Sequence, residues 1–297
     1  MRAPYFAACA AAVLLLSGLL AACSPLSLVN AVSPSGATRT VASAAYGTNP
    51  RHVLDIYRPE NWTGPAPVIV FYYGGNWVDG ERGDYAFVGR ALAARGFVVV
   101  IPDYRLYPEV RYPDFLTDSA EALAWTSRRI KAYGGDPKRI YAMGHSAGAY
   151  NAAMLALDPR WLRAQGTAPS ILRGWIGMAG PYNFLPIENP TTRPVFLYPN
   201  TPRDSQPINH VTVNAPPALL IAARNDSTVD PERNTGALAD RLRVTGVPVR
   251  EVSYTGVNHV TLLATLSSSL RRLAPSLDAI EDFVHSDGGR ESKPKPR

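Results

Sequence analysis

The chain reads as an α/β domain, with a mostly parallel central sheet covered by helices on both faces. Three observations predict this. Residues 68–72, 97–101 and 218–222 are short, continuously apolar runs, as expected of strands buried on both sides. Longer amphipathic segments lie between such runs, so strands and helices alternate along the chain. The 297 residues, 46% hydrophobic and 18% charged, suit one globular core with terminal extensions.

The elements follow in order. Arg2 precedes an apolar run over residues 5–20 that ends in Leu20-Ala21-Ala22-Cys23. A charged start, a short apolar core and small residues before a cut site describe an export signal over residues 1–22. The run falls short of the roughly 18 residues of a membrane span. Cys23 at the cut resembles a bacterial lipoprotein lipobox, which implies lipidation of Cys23 and a membrane anchor there. The same resemblance, with Ser24 rather than Asp next in line, implies an exported protein held in the bacterial envelope, at the outer membrane facing the periplasm. The only other cysteine, Cys9, lies inside the signal, so the mature chain is expected to hold its core without a disulfide. Residues 23–38 are rich in Ser and Pro and read as a flexible tether. The folded domain is expected over 39–285.

Within it, residues 53–58 alternate, with Leu54 and Ile56 on one face, as an antiparallel edge strand would. Strand 68–72 is followed by a helix over 85–95 that stops at Gly96, then by strand 97–101. A long amphipathic helix over 115–133 closes at Gly134-Gly135. Strand 139–143, helix 147–157, and strands 175–178 and 218–222 come next. A helix over 231–245 has Pro near its first turn and Gly246 after its end. Strand 249–254 and a last helix over 277–285 complete the alternation. The tail, 286–297, carries four basic and two acidic residues and reads as disordered. Residues 180–214 form a long connection, rich in Pro and Asn, expected to line a site.

The chemistry is concentrated in Gly144-His145-Ser146-Ala147-Gly148, where a strand ends and a helix begins. A nucleophile there sits on a sharp, strained turn that only small neighbours permit, with its hydroxyl clear of the sheet edge. The alternative for Ser146 is an ordinary helix cap. An oxyanion formed at Ser146 needs backbone N–H donors, and Ala147, the next residue, can supply one. The loop after strand 68–72 reads Tyr73-Gly74-Gly75-Asn76-Trp77, where glycine lets amides approach a reacting carbonyl. On these two motifs the chain resembles the α/β-hydrolase esterases with an HGGGW-type loop. That group includes hormone-sensitive-lipase-like carboxylesterases, small feruloyl or xylan esterases and kynurenine formamidases.

Further matches are Pro102-Asp103-Tyr104-Arg105-Leu106, Tyr133-Gly134-Gly135-Asp136-Pro137 and Asn225-Asp226-Ser227-Thr228-Val229, so the resemblance covers residues 46–284. It implies an α/β-hydrolase fold with a minimal cap and oxyanion donors at Gly75, Asn76 and Ala147, with Gly74 the weakest candidate. Two positions depart from the pattern: Tyr73 replaces the usual His, and Asn76 replaces a third Gly. In the α/β-hydrolase chain order the base comes last, after a late strand, which selects His259 in the loop after residue 254. His145 is adjacent to Ser146 and points elsewhere. His52 reads as a solvated surface residue, and His285 lies beside the polar tail. His210 in the long connection remains a candidate for lining a pocket. The carboxylate that orients the base should follow strand 218–222, where Asp226 and Asp230 both stand. Asp230 directly precedes Pro231 and suits a helix cap, which favours Asp226. Asp103 reads as a loop-fixing carboxylate, Asp118 as one on the surface or packing side of its helix.

Several function classes are set aside. Net charge is +6, falling to +5 without residues 1–22, and no Lys/Arg block occurs in the body. Nucleic-acid binding is therefore not expected. No metal-ligand spacing and no glycine-rich phosphate loop occur, so neither metal nor cofactor is expected. The expectation is a serine ester hydrolase acting on a small soluble ester. Its alternatives are an aryl formamidase or other amide hydrolase, and a non-catalytic envelope protein that binds partners through the fold. Seven prolines in residues 180–214 break any helical lid. A short rigid rim is expected instead, with Phe184, Leu185, Phe196 and Tyr198 as candidates to line an acyl or aryl pocket.

Overall fold

A computed structural model describes residues 29–30, 33, 38–61 and 63–288. The signal, Cys23 and residues 289–297 of the tail lie outside the described residues. Eight strands form one sheet in the order β1-β2-β4-β3-β5-β6-β7-β8. They are β1 (Thr38–Ala45), β2 (Val53–Pro59), β3 (Ala66–Tyr72), β4 (Val98–Pro102), β5 (Gly135–His145), β6 (Leu172–Met178), β7 (Ala218–Ala223) and β8 (Val249–Tyr254). β1 pairs antiparallel with β2 and β2 antiparallel with β4; every other pair is parallel. β3, β4 and β7 are buried at every residue, which is why they carry no polar alternation.

The expected α/β-hydrolase architecture is thus present, with local differences. β2 is antiparallel but is not the edge, because β1 covers its outer side. β1, Thr-Arg-Thr-Val-Ala-Ser-Ala-Ala, has no apolar alternation to announce it. Asn30, in the expected tether, is docked: its amide Nδ2 donates to Gly83 O at 3.0 Å and its Oδ1 accepts the Phe87 N–H at 2.9 Å. At the other end, Asp287 pairs with Arg173 at 2.6 Å, so the packed chain runs past the expected start of the tail at residue 286.

The helices are α1 (Ala86–Ala93), α2 (Asp114–Arg129), α3 (Ala147–Leu157), α4 (Pro159–Ala164), α5 (Ala237–Val244), α6 (His259–Ala264) and α7 (Ser276–His285). Strand parity assigns them to faces. Phe283 of α7 meets Tyr141, whereas Gly148 of α3 backs onto Gly144; residues 141 and 144 point to opposite sides of β5. Arg95, just after α1, pairs with Asp278 at 2.8 Å and with Glu281, so α1 shares the face of α7. Helices leaving neighbouring strands β3 and β5 therefore diverge, and a crevice opens at the C-terminal ends of those strands. Ligands bind at such a point in open α/β sheets.

Candidate active site

β5 delivers Ser146 to this crevice. The backbone of Ser146 is left-handed (φ 55°, ψ −124°), and its N–H is held by Met178 O at the end of β6, 2.9 Å away. A non-glycine residue there costs about 1–3 kcal/mol and persists only where the surrounding structure over-determines it. The flanking glycines supply that constraint. A Cβ on Gly144 would sit 2.1 Å from Gly148 O, and one on Gly148 would sit 2.0 Å from Tyr72 O. The turn closes only because both positions lack a side chain.

His259 and Asp226 reach the same point from β8 and β7. His259 Nε2 is 2.8 Å from Ser146 Oγ, and Nδ1 is 2.7 Å from Asp226 Oδ2. All three residues are buried. His259 is the first residue of α6, a helix absent from the sequence reading. Asn258 caps it by accepting the N–H groups of Val260 and Thr261, while Thr261 Oγ1 accepts the Asn258 N–H. The other Asp226 oxygen accepts the N–H groups of Thr228 (2.8 Å) and Val229 (3.0 Å). Burial pushes the Asp226 carboxyl up, but the His259 hydrogen bond and charge, with these two amides, hold it below its ordinary value. Asp230 instead accepts the Glu232 and Arg233 N–H groups at 2.9 and 3.0 Å. The segment after it opens as a π-helix over Glu232–Gly236 before α5, not as one α-helix.

Of the remaining histidines, His52 and His210 depart from the sequence reading and His145 and His285 do not. His145 points away from the Ser146 hydroxyl, yet its Nε2 lies 2.9 Å from the backbone oxygen of His259. A carbonyl only accepts, so His145 Nε2 carries the proton and donates it. Burial, then the neighbouring His259, push the His145 pKa down to about 3, so it stays neutral. His52 is buried, not solvated: it stacks on Tyr46 and lies 3.2 Å from Asp118. Asp118 is buried and receives Arg105 through two nitrogens. His210 bonds Asp204 O and is not among the residues around Ser146. His285 is an exposed side chain.

The loop after β3 lies across the crevice from His259. Gly75 has φ 122°, and a Cβ there would strike Asp79 O at 2.1 Å. Asn76 and Trp77 are both left-handed at φ 54° and 60°. Asn76 and Ala147 border the same cavity as Ser146, and Gly75 is not among its lining residues. As the first residue of α3, Ala147 has no intrahelical acceptor for its N–H. Tyr73 anchors the loop from below. Its hydroxyl donates to Asp103 Oδ1 and accepts from Arg51, each at 2.8 Å. Asp103 also receives the Arg82 backbone N–H (2.6 Å) and guanidinium (2.5 Å). Tyr73 thus takes over a structural hydrogen bond at the position where the resembled esterases carry His.

The cavity holds about 120 Å³. Trp77, Phe184, Pro181, Pro186 and Ile187 form its apolar side; Asn76, Glu188, Asn189, Asp230 and Arg233 form its polar side. Of the four expected lining residues, Phe184 alone borders it. Phe196 is buried behind Trp77, Tyr198 lies exposed against Arg193, and Leu185 packs outside. The 180–214 connection contains only two 3-10 turns, Arg203–Ser205 and Pro207–His210. Such an arrangement can activate a hydroxyl and stabilise an anion that develops beside it.

Comparison with known proteins agrees in kind. The BD-FAE family model matches residues 54–242. The isoprenylcysteine alpha-carbonyl methylesterase ICME of Arabidopsis thaliana is 30% identical over 82% of this chain and 62% of its own length. Esterase LipC of Mycobacterium tuberculosis is 33% identical over 67% of this chain and 54% of its own. The chain thus spans little more than half the length of these relatives. A crystal structure of an inhibited esterase B from Lactobacillus rhamnosis superposes with a TM-score of 0.74 at 19% identity, covering 95% of this chain and 98% of that one.

Proposed function

Because the chain belongs to the BD-FAE family, we propose that it is a serine carboxylic-ester hydrolase working through an acyl-enzyme. The observation that carries the reading is the unbroken hydrogen-bonded chain from Asp226 through His259 to Ser146. Ser146 Oγ attacks the ester carbonyl carbon while His259 Nε2 takes its proton. Asp226 keeps Nδ1 protonated and stabilises the imidazolium. The negative carbonyl oxygen faces the N–H groups of Ala147 and Asn76, with Gly75 completing the loop. His259 then gives the proton to the leaving alcohol oxygen. Water enters, is deprotonated by His259 and attacks the acyl-enzyme, and the returning proton frees Ser146. The relatives' printed names, methylesterase and esterase, support the reaction class.

The cavity volume supports a small substrate, since sites for drug-sized ligands run to about 300–1,000 Å³. The pattern of residues 1–23 supports export and a lipid anchor at Cys23, with the domain facing the periplasm. The test is Ser146→Ala assayed with 4-nitrophenyl acetate. The expected outcome is a folded protein with kcat reduced by about 10⁴ or more. Turnover within tenfold of the unmodified enzyme would remove Ser146 from the reaction.

A further inference from the structure

Helix α3 starts at the nucleophile and is buried along its whole length, with Ala, Leu, Met and Gly at nearly every position. Asn151 interrupts this composition, fully enclosed at 0% exposure. An enclosed amide is tolerated only when its donors and acceptor are used. Its Oδ1 accepts the Trp77 indole N–H at 2.9 Å, and its Nδ2 donates to Ser119 Oγ at 3.2 Å. Ser119 in turn donates to Phe115 O at 2.8 Å within α2. The amide therefore ties the pocket-wall indole to two core helices.

Trp77 is unusual at the other end of this bond. It holds a left-handed backbone next to Asn76, and it lines the cavity beside Ser146 together with Phe184, Pro181, Pro186 and Ile187. Rings pack around Trp77 on several sides, Phe196 and Tyr150 edge-on at 4.8 and 5.1 Å, Phe115 at 5.7 Å and Phe184 at 6.5 Å, and none of these contacts has the directionality of a hydrogen bond. The hydrogen bond to Asn151 is the directional restraint. Without it, the indole N–H would face an apolar wall with no acceptor and would gain by swinging toward the solvent-connected cavity mouth.

We propose that Asn151 is a positioning residue that sets acyl-chain length by pinning Trp77 as the closed end of the pocket. This rests on the ester-hydrolase reading above. The experiment compares kcat/KM for 4-nitrophenyl hexanoate and acetate in the unmodified enzyme and in Asn151→Leu and Asn151→Asp. Leu keeps the branched four-heavy-atom shape, though it is bulkier, and lacks the acceptor, whereas Asp keeps an oxygen for the indole. The hexanoate-to-acetate ratio should rise about tenfold in Asn151→Leu, because a pocket with room gains for each methylene it accepts. It should stay within about threefold in Asn151→Asp, even though both variants lose stability. Should neither fold, Ser119→Ala releases the far end of the same amide and should raise the ratio about threefold. An unchanged ratio in Asn151→Leu, or an equal rise in both Asn151 variants, overturns the proposal and leaves Asn151 a packing residue. If the unmodified enzyme hydrolyses neither ester, the ester-hydrolase reading fails instead.

Discussion

Asp226 and Asp230 stand four residues apart after the same strand, and their backbone partners separate their roles. Asp226 spends one oxygen on two turn amides and aims the other at His259; Asp230 spends its oxygen on the first turn of the next helix. Asp226→Asn should lower kcat by about 10³–10⁴ by leaving His259 in the wrong tautomer. Asp230→Asn should leave kcat nearly unchanged, because Asn also caps helices. Steady-state kinetics on the two variants checks this, and the reverse ranking would make Asp230 the orienting acid. His145 gives a second residue-scale prediction. Its folded pKa, about 3, lies below its ordinary 6.5. Between those values the unfolded chain binds a proton that the folded chain refuses. Stability from this group is therefore complete above pH 6.5 and declines as pH falls toward 3, by up to about 1.4 kcal/mol per pH unit. In urea unfolding from pH 6.5 to 4, His145→Gln should flatten the slope by close to one proton. An identical slope in both proteins would show that His145 is not a buried neutral group.

At the scale of elements, the connection between β6 and β7 supplies much of the wall of the cavity beside Ser146. Its prolines hold it as a rim of short turns, with Asn234 accepting the Tyr182 and Asn183 N–H groups and Gln206 accepting that of Phe184. A lid that opens at an oil surface needs an amphipathic helix on a hinge, and this segment has neither. Each methylene gains about 0.8 kcal/mol only while the pocket has room. The expected preference is for acids of roughly two to six carbons, with kcat/KM falling beyond. Nitrophenyl esters from acetate to palmitate measure it, and emulsified triglyceride tests for activation. A maximum on the longest chains, or a jump in rate past the solubility limit, contradicts a rigid short rim. The loop after β3 is held for another reason: Tyr73, Asp103, Arg51 and Arg82 cross-link its base.

At the scale of the molecule, the sheet order puts the loops after β3, β5, β7 and β8 at one edge, where Ser146, Asp226, His259 and the oxyanion loop converge. The tether end is on α1, where Asn30 docks between Gly83 and Phe87. Cells expressing Cys23→Ser should release, mislocalise or fail to process the protein, and labelled fatty acid should not attach. Radiolabel incorporation into that variant would refute the lipobox reading.

By itself the sequence determined whatever depends on neighbours in the chain. Continuous apolar runs marked the buried strands, glycine spacing marked the turn at Ser146, and order along the chain pointed to His259 and to the turn holding Asp226. The Gly-rich loop after β3 was legible too, as a candidate for holding an oxyanion, down to the two positions, Tyr73 and Asn76, that depart from the resembled pattern. Tertiary structure decided what depends on residues far apart. His145 bonds the backbone of a residue 114 positions away, Asn151 bonds Trp77 across 74, and Tyr73 meets Asp103 across 30. No local pattern records such partners, because a side chain's type states what it can bond and not which loop is brought to it. The same limit placed His52 at the surface and Phe196 and Tyr198 at the pocket, and it hid β1, whose pairing with β2 comes from backbone groups that every residue carries.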